Sequence, residues 1–191
     1  PSFNTATHIK QAAKTAIDKD LVGKYTVGYG IEPLRVAIVN KLRRDNRIKA
    51  KPSEVIVTHG GIEGLMAIFL ALFDRQDDII VLTPDYASHL PQIQIALGGR
   101  KAIEVPLVET DNDWVLDPVK LKKAITKKTK AILITNPCNP TGKVYFREEL
   151  REIARLAVKY NLFIVTDEMY EYFAFDGKTH VSIGSFPEVS D

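Results

Sequence analysis

The sequence holds a single cysteine, Cys138, in 191 residues. One cysteine forms no internal disulfide, which excludes the small disulfide-stapled scaffolds and favours a reducing, cytoplasmic setting. The chain also lacks a charge excess of either sign: 26 basic residues against 24 acidic ones leave +2. Without a basic field there is no reason to expect a nucleic acid or a membrane surface as partner. No apolar run approaches the roughly 20 residues that cross a bilayer. No signal peptide is expected before the first amphipathic segment, and neither internal repeats nor low-complexity stretches are found. Pro1 rather than Met opens the chain, so the true start is expected upstream.

What is present is ordinary globular material. Hydrophobic residues make up 45% and charged residues 26%, enough to build a core. The length suits one large domain or a big piece of a larger one. His8 to Lys19 and Leu34 to Arg44 have helical spacing, separated by the glycine-bearing loop Gly23 to Gly30. A regular alternation follows. Strands are expected at Glu54–Thr58, Asp78–Leu82, Ala102–Val108, Ala131–Thr135 and Leu162–Thr166. Helices are expected at Leu65–Phe73, Leu90–Leu97, Pro118 to about Lys128, and Arg147–Tyr160. Gly98-Gly99 is a helix stop, and Asp117-Pro118 is a helix start with a cap and a proline at the first position. The lysines at 120, 122, 123, 127, 128 and 130 read as the wet face of that helix.

Strands apolar on both faces, alternating with helices, imply a mainly parallel sheet in a three-layer α/β/α arrangement. Ligands of such sheets sit beyond the carboxyl ends of the strands, and the unusual residues fall there. Gly60-Gly61-Ile62 ends the first strand directly before a helix, where free backbone amides suit a phosphate; a Gly-Gly turn also serves as a plain tight connection. Tyr86, beside Asp85 and His89, can cover a planar ligand or be an ordinary tyrosine. Asn136-Pro137 and Asn139-Pro140 fix the backbone so that an amide can donate from a rigid position, or serve structure alone. Asp167 ends an apolar strand, so its charge calls for a partner: a cationic ligand group, a lysine, or a role as helix cap. Tyr170 follows three residues later.

Together these features resemble the class I/II aminotransferase family, the fold type I pyridoxal-phosphate enzymes, over nearly the whole chain. The resemblance rests on Asn139-Pro-Thr-Gly142, then Asp167-Glu-Met-Tyr170 at a strand end. Lys24-Tyr25-Thr26, Gly30-Ile-Glu-Pro-Leu-Arg35, Thr58-His-Gly-Gly-Ile-Glu-Gly64 and Pro84-Asp-Tyr86 add to it. It implies the large domain of a pyridoxal-phosphate-dependent transferase, incomplete at the C-terminus, with residues 1–45 as an N-terminal helical segment and interface loop and 46–191 as a partial cofactor-binding domain. It implies pyridoxal 5'-phosphate as cofactor and an amino acid and a 2-oxo acid as substrates. Asp167 would pair with the ring nitrogen, and Asn139 and Tyr170 would contact the phenolic oxygen. Tyr86 would stack on the ring, and the backbone of Gly61 and Ile62 would hold the phosphate. Tyr25 would reach the phosphate of a neighbouring subunit, implying a homodimer. Ile62 departs from the family, which usually has a serine or threonine there. The resemblance places the Schiff-base lysine beyond Asp191, so the 191 residues alone are expected to be inactive. It also implies cis bonds at Asn139-Pro140 and Thr83-Pro84. Two other readings share the same fold: a pyridoxal-phosphate lyase or decarboxylase, and an aminotransferase-like effector domain of a transcription regulator.

Overall fold

The structure, a computed structural model, describes residues 3–189. Its centre is a four-stranded sheet of β1 (Asp78–Thr83), β2 (Ile103–Pro106), β5 (Thr129–Thr135) and β6 (Phe163–Asp167). The order is β2-β1-β5-β6, with every pairing parallel. Alternation along the strands explains the layers, because successive side chains point to opposite faces. Ile79, Val81, Ala131, Leu133 and Val165 face α3 (Gly60–Leu72) and α4 (His89–Ala96), where they pack with Phe69, Phe73, Ile93 and Leu97. Ile80, Leu82, Ile132 and Ile134 face α5 (Pro118–Ala124) and α6 (Arg147–Tyr160), against Leu121, Leu150, Ile153 and Leu156. The three-layer α/β arrangement is therefore what the apolar runs required.

α6 forms where its spacing predicts, and its start is fixed locally. The Glu149 carboxylate accepts from the Phe146 amide at 2.9 Å, closing the first turn as a capping box does. The same carboxylate takes Lys143 Nζ at 2.9 and 3.0 Å and the Leu116 amide at 2.9 Å. Asn161 ends the helix in the left-handed region, φ 53°, a common stop.

Four expectations need correction. Glu54–Thr58 is not a strand. Residues 52–54 form a 3₁₀ turn, and the Val57 amide donates to the Tyr29 carbonyl at 3.1 Å instead of to a strand neighbour. The expected strand Ala102–Val108 breaks at Leu107, whose amide donates back to Thr83. After it, β3 (Val108–Glu109) pairs antiparallel with β4 (Trp114–Val115). α5 stops at Ala124, so only Lys120, Lys122 and Lys123 lie on it. The other three lysines, all exposed, belong to the next turn and to β5. The second helix begins at Glu32, as α2 (Glu32–Lys41), and finishes in a π turn, Leu42–Asn46, rather than running on to Arg44. α1 (Thr7–Asp18) buries no residue.

The π turn is joined to the sheet unit by buried polar bonds. Asn46 accepts from Lys41 Nζ at 2.8 Å and donates to Glu171 at 2.6 Å and to Ser182 Oγ at 2.8 Å. His180 Nε2 lies 3.2 Å from Glu168 and 3.3 Å from Ser182 Oγ in the same network. Thr83-Pro84, Asn136-Pro137 and Asn139-Pro140 are all cis; the second of these was not expected.

Candidate functional site

The chain runs from β1 outward to β2, then returns to the other side of β1 as β5. This change of direction leaves a crevice at the carboxyl ends of β1 and β5, the usual ligand position in such sheets. A pocket of about 270 Å³ lies there, lined among others by Gly61, Ile62, Tyr86, Asn139, Asp167 and Tyr170. Six of the seven residues expected at a site thus line one cavity. Tyr25 does not: it is fully exposed on the loop before α2.

The base of the pocket is ionic. Asp167 ends β6, with its side chain 23% exposed, and Oδ2 lies 3.4 Å from His89 Nε2. Its Oδ1 accepts from the Met169 amide at 2.9 Å. The partner of this carboxylate is therefore a histidine of the chain, not a lysine. His89 opens α4 and is 1% exposed, and its Nδ1 lies 2.7 Å from Asp85 Oδ2. The Asp85 side chain is 2% exposed and also accepts from Thr135 Oγ1 at the end of β5. Burial pulls the His89 pKa down, but Asp167 and Asp85 outweigh it and hold it at about 9. In return, the contact from His89 keeps the Asp167 carboxyl below the usual range, against its partial burial.

In the sequence, His89 stands out only as a neighbour of Tyr86. The available signal was Asp85 four residues ahead of a histidine, on a strand-to-helix turn. Tyr86 stands edge-on to His89, with ring centroids 5.4 Å apart and planes at 78°.

The opposite wall is the start of α3. Gly60 has φ +79°, and a Cβ added at Gly60 or Gly61 would meet nothing within 4 Å, so open space fronts this turn. The first amides of a helix have no partner within it and favour an anion. Gln92 of α4 donates to the Ile62 carbonyl at 2.6 Å, bracing α3 against α4. The Ile62 side chain is exposed. Among the described residues, the Asn139 amide and the Tyr170 hydroxyl take no hydrogen-bond partner, and both line the pocket. No lysine lines it. Lys143, fully buried nearby, is committed to Glu149 and the Trp114 carbonyl.

A planar anionic ligand fits this donor set. It meets helix amides for an anion, an aromatic ring for one face, a carboxylate for a ring N–H, and an amide and a phenol for an oxygen. Over residues 1–191 the sequence matches the family described as aminotransferase class I and II, and the chain belongs to it. Among relatives, the aspartate aminotransferase of Pyrococcus abyssi is 39% identical over 97% of this chain and 47% of its own length. The aspartate/prephenate aminotransferase of Thermus thermophilus is 39% identical over 96% of this chain and 46% of its own. The N-succinyldiaminopimelate aminotransferase of Mycobacterium tuberculosis superposes with a TM-score of 0.93 at 36% identity, over 98% of this chain and 48% of that one. The chain spans about half the length of the curated relatives it matches.

Proposed function

We propose that the chain is the cofactor-binding part of a pyridoxal-phosphate-dependent aminotransferase, which moves an amino group between an amino acid and a 2-oxo acid. The observation that carries this reading is the convergence of Asp167, Tyr86, Asn139, Tyr170 and the Gly60-Gly61 turn on one pocket of a family member. The relatives named above are all aminotransferases, which favours this over a lyase or a regulator domain. Residues 46–191 are assigned to the large domain and 1–45 to an N-terminal segment with an interface loop. A cytoplasmic homodimer accords with the lone Cys138 and with the exposed Tyr25. No helix among the described residues is long and apolar enough to cross a membrane.

When bound, pyridoxal phosphate supplies a cationic ring that withdraws electrons from an amino-acid carbon. Asp167, kept ionised by His89, accepts the ring N–H and so holds that proton in place; such charge-assisted bonds contribute about 1.5–3 kcal/mol. Tyr86 covers one ring face, and the first amides of α3 take the phosphate. Asn139 and Tyr170 donate to the phenolic oxygen. The pocket offers no amine to serve as base and covalent anchor, so the 191 residues alone bind and orient but do not turn over.

The test is a titration of the chain with pyridoxal phosphate, followed by absorbance and borohydride trapping. Noncovalent binding weakened at least about tenfold (about 1.4 kcal/mol) in Asp167→Ala is expected, with no turnover of any amino acid. Equal affinity in the native chain and Asp167→Ala sinks the reading of the site. A stoichiometric lysine adduct with turnover refutes the inactivity.

A further inference from the structure

We propose that Asp85 is a positioning residue that holds His89 as a doubly protonated imidazolium against Asp167, fixing the charge and orientation of the group behind the carboxylate. This rests on the reading of Asp167 as the partner of the cofactor ring, but the contact itself belongs to the chain alone.

The geometry leads there directly. An ionised carboxylate only accepts hydrogen bonds. His89 has a carboxylate at each nitrogen: Asp85 Oδ2 at 2.7 Å from Nδ1, and Asp167 Oδ2 at 3.4 Å from Nε2. A neutral imidazole carries one N–H and would turn a lone pair toward one of them. Two ring protons satisfy both. Asp85 comes from the turn after β1, Thr135 from the end of β5 and Asp167 from the end of β6. The array therefore ties together the three strands that border the crevice.

Thr135 Oγ1 donates to Asp85 Oδ1, leaving Oδ2 for His89. The other titratable groups nearby are Tyr86, edge-on to the imidazole, His59 and Tyr170, which line the same pocket, and Cys138, whose Sγ donates to the Pro84 carbonyl at 3.3 Å. Burial pushes the Cys138 thiol up, so it stays neutral. One cation between two anions leaves a single negative charge, which a cationic ring on Asp167 neutralises. The imidazolium also lowers the affinity of Asp167 for a proton, so Asp167 accepts a hydrogen bond from a ring N–H without removing the proton.

The experiment is ¹⁵N NMR of the four histidines of the 191-residue chain, without cofactor, with His89 assigned through His89→Gln. Both ring nitrogens of His89 are expected at protonated positions at pH 8. In Asp85→Asn the proton affinity of His89 falls at least tenfold, while His8, His59 and His180 titrate as before. Asp85→Glu recovers most of the loss. An Asp85→Asn chain whose His89 titrates like the native one overturns the proposal. So does an unprotonated His89 nitrogen at pH 8 in the native chain, a measurement that needs no variant to fold. Because no cofactor is present, failure to bind pyridoxal phosphate would count against the proposed function and leave this result standing.

Discussion

At His89 the direction of pH dependence follows from its surroundings. Two carboxylates raise its pKa from 6.5 to about 9 despite burial. A raised value means that the stabilisation is complete below about 6.5 and is lost as pH rises through about 9. The shift corresponds to a contribution on the order of 3 kcal/mol. Asp167 is shifted the other way, so its contribution is complete above the ordinary carboxylate range and is lost as pH falls through its lowered value. The urea midpoint should therefore decline between pH 6.5 and 9, and the decline should flatten in His89→Gln. A native midpoint unchanged over that interval would contradict the ion-pair array. The pocket residues were legible in the sequence because chemistry-bearing side chains at strand ends are conspicuous there. His89 was not, because its second carboxylate arrives from β6, about 80 residues later, and only folding reveals it.

Helices and strands differ in how far local sequence decides them. α6 is legible from its spacing, and Glu149, accepting from the Phe146 amide, then fixes its start within one turn. Glu54–Thr58 has the apolar run of a strand, but a strand is defined by a neighbour's hydrogen bonds. Among the described residues no strand lies beside it, and Ile56 is 71% exposed. Ile56→Thr should accordingly leave the stability of this chain within about 0.5 kcal/mol; a larger loss by urea unfolding would show that the segment is packed. Glu149 should behave differently. Removing it leaves buried Lys143 with the Trp114 carbonyl and the faces of Tyr145 and Phe146 but no carboxylate, whereas removing Lys143 leaves Glu149 with the Phe146 and Leu116 amides. Glu149→Ala is therefore expected to cost roughly 3–5 kcal/mol, and Lys143→Met clearly less. Equal losses in the two variants would refute this asymmetry.

Across the whole molecule the exposed apolar surface is uneven. Met169, Tyr172, Phe173 and Phe175 crowd the segment after β6, beside the pocket, and Tyr25, Val27, Tyr29 and Ile31 line the loop before α2. Contiguous apolar patches mark surfaces that associate, so the chain is expected to self-associate. The arrangement we propose is two-fold, with Tyr25 of one copy beside the Gly60 turn of the other, because a symmetric pair uses each patch twice and closes. Among the described residues nothing holds Tyr25: its ring is fully exposed. Arg35, in contrast, pins the loop's end by donating to the Gly30 carbonyl at 3.0 Å and the Pro52 carbonyl at 2.7 Å. The loop is thus anchored at its base and free at Tyr25, as a reaching element should be. A mixed sample decides the matter. One copy carries a spin label at Tyr25→Cys, with Cys138→Ala to remove the other thiol, and the other copy carries ¹⁵N. Broadening of the Gly60, Gly61 and Ile62 amides in the unlabelled-thiol copy is the expected result. Broadening confined to the segment after β6, or none at concentrations where sedimentation shows a dimer, would place the interface elsewhere and remove Tyr25 from the neighbour's site.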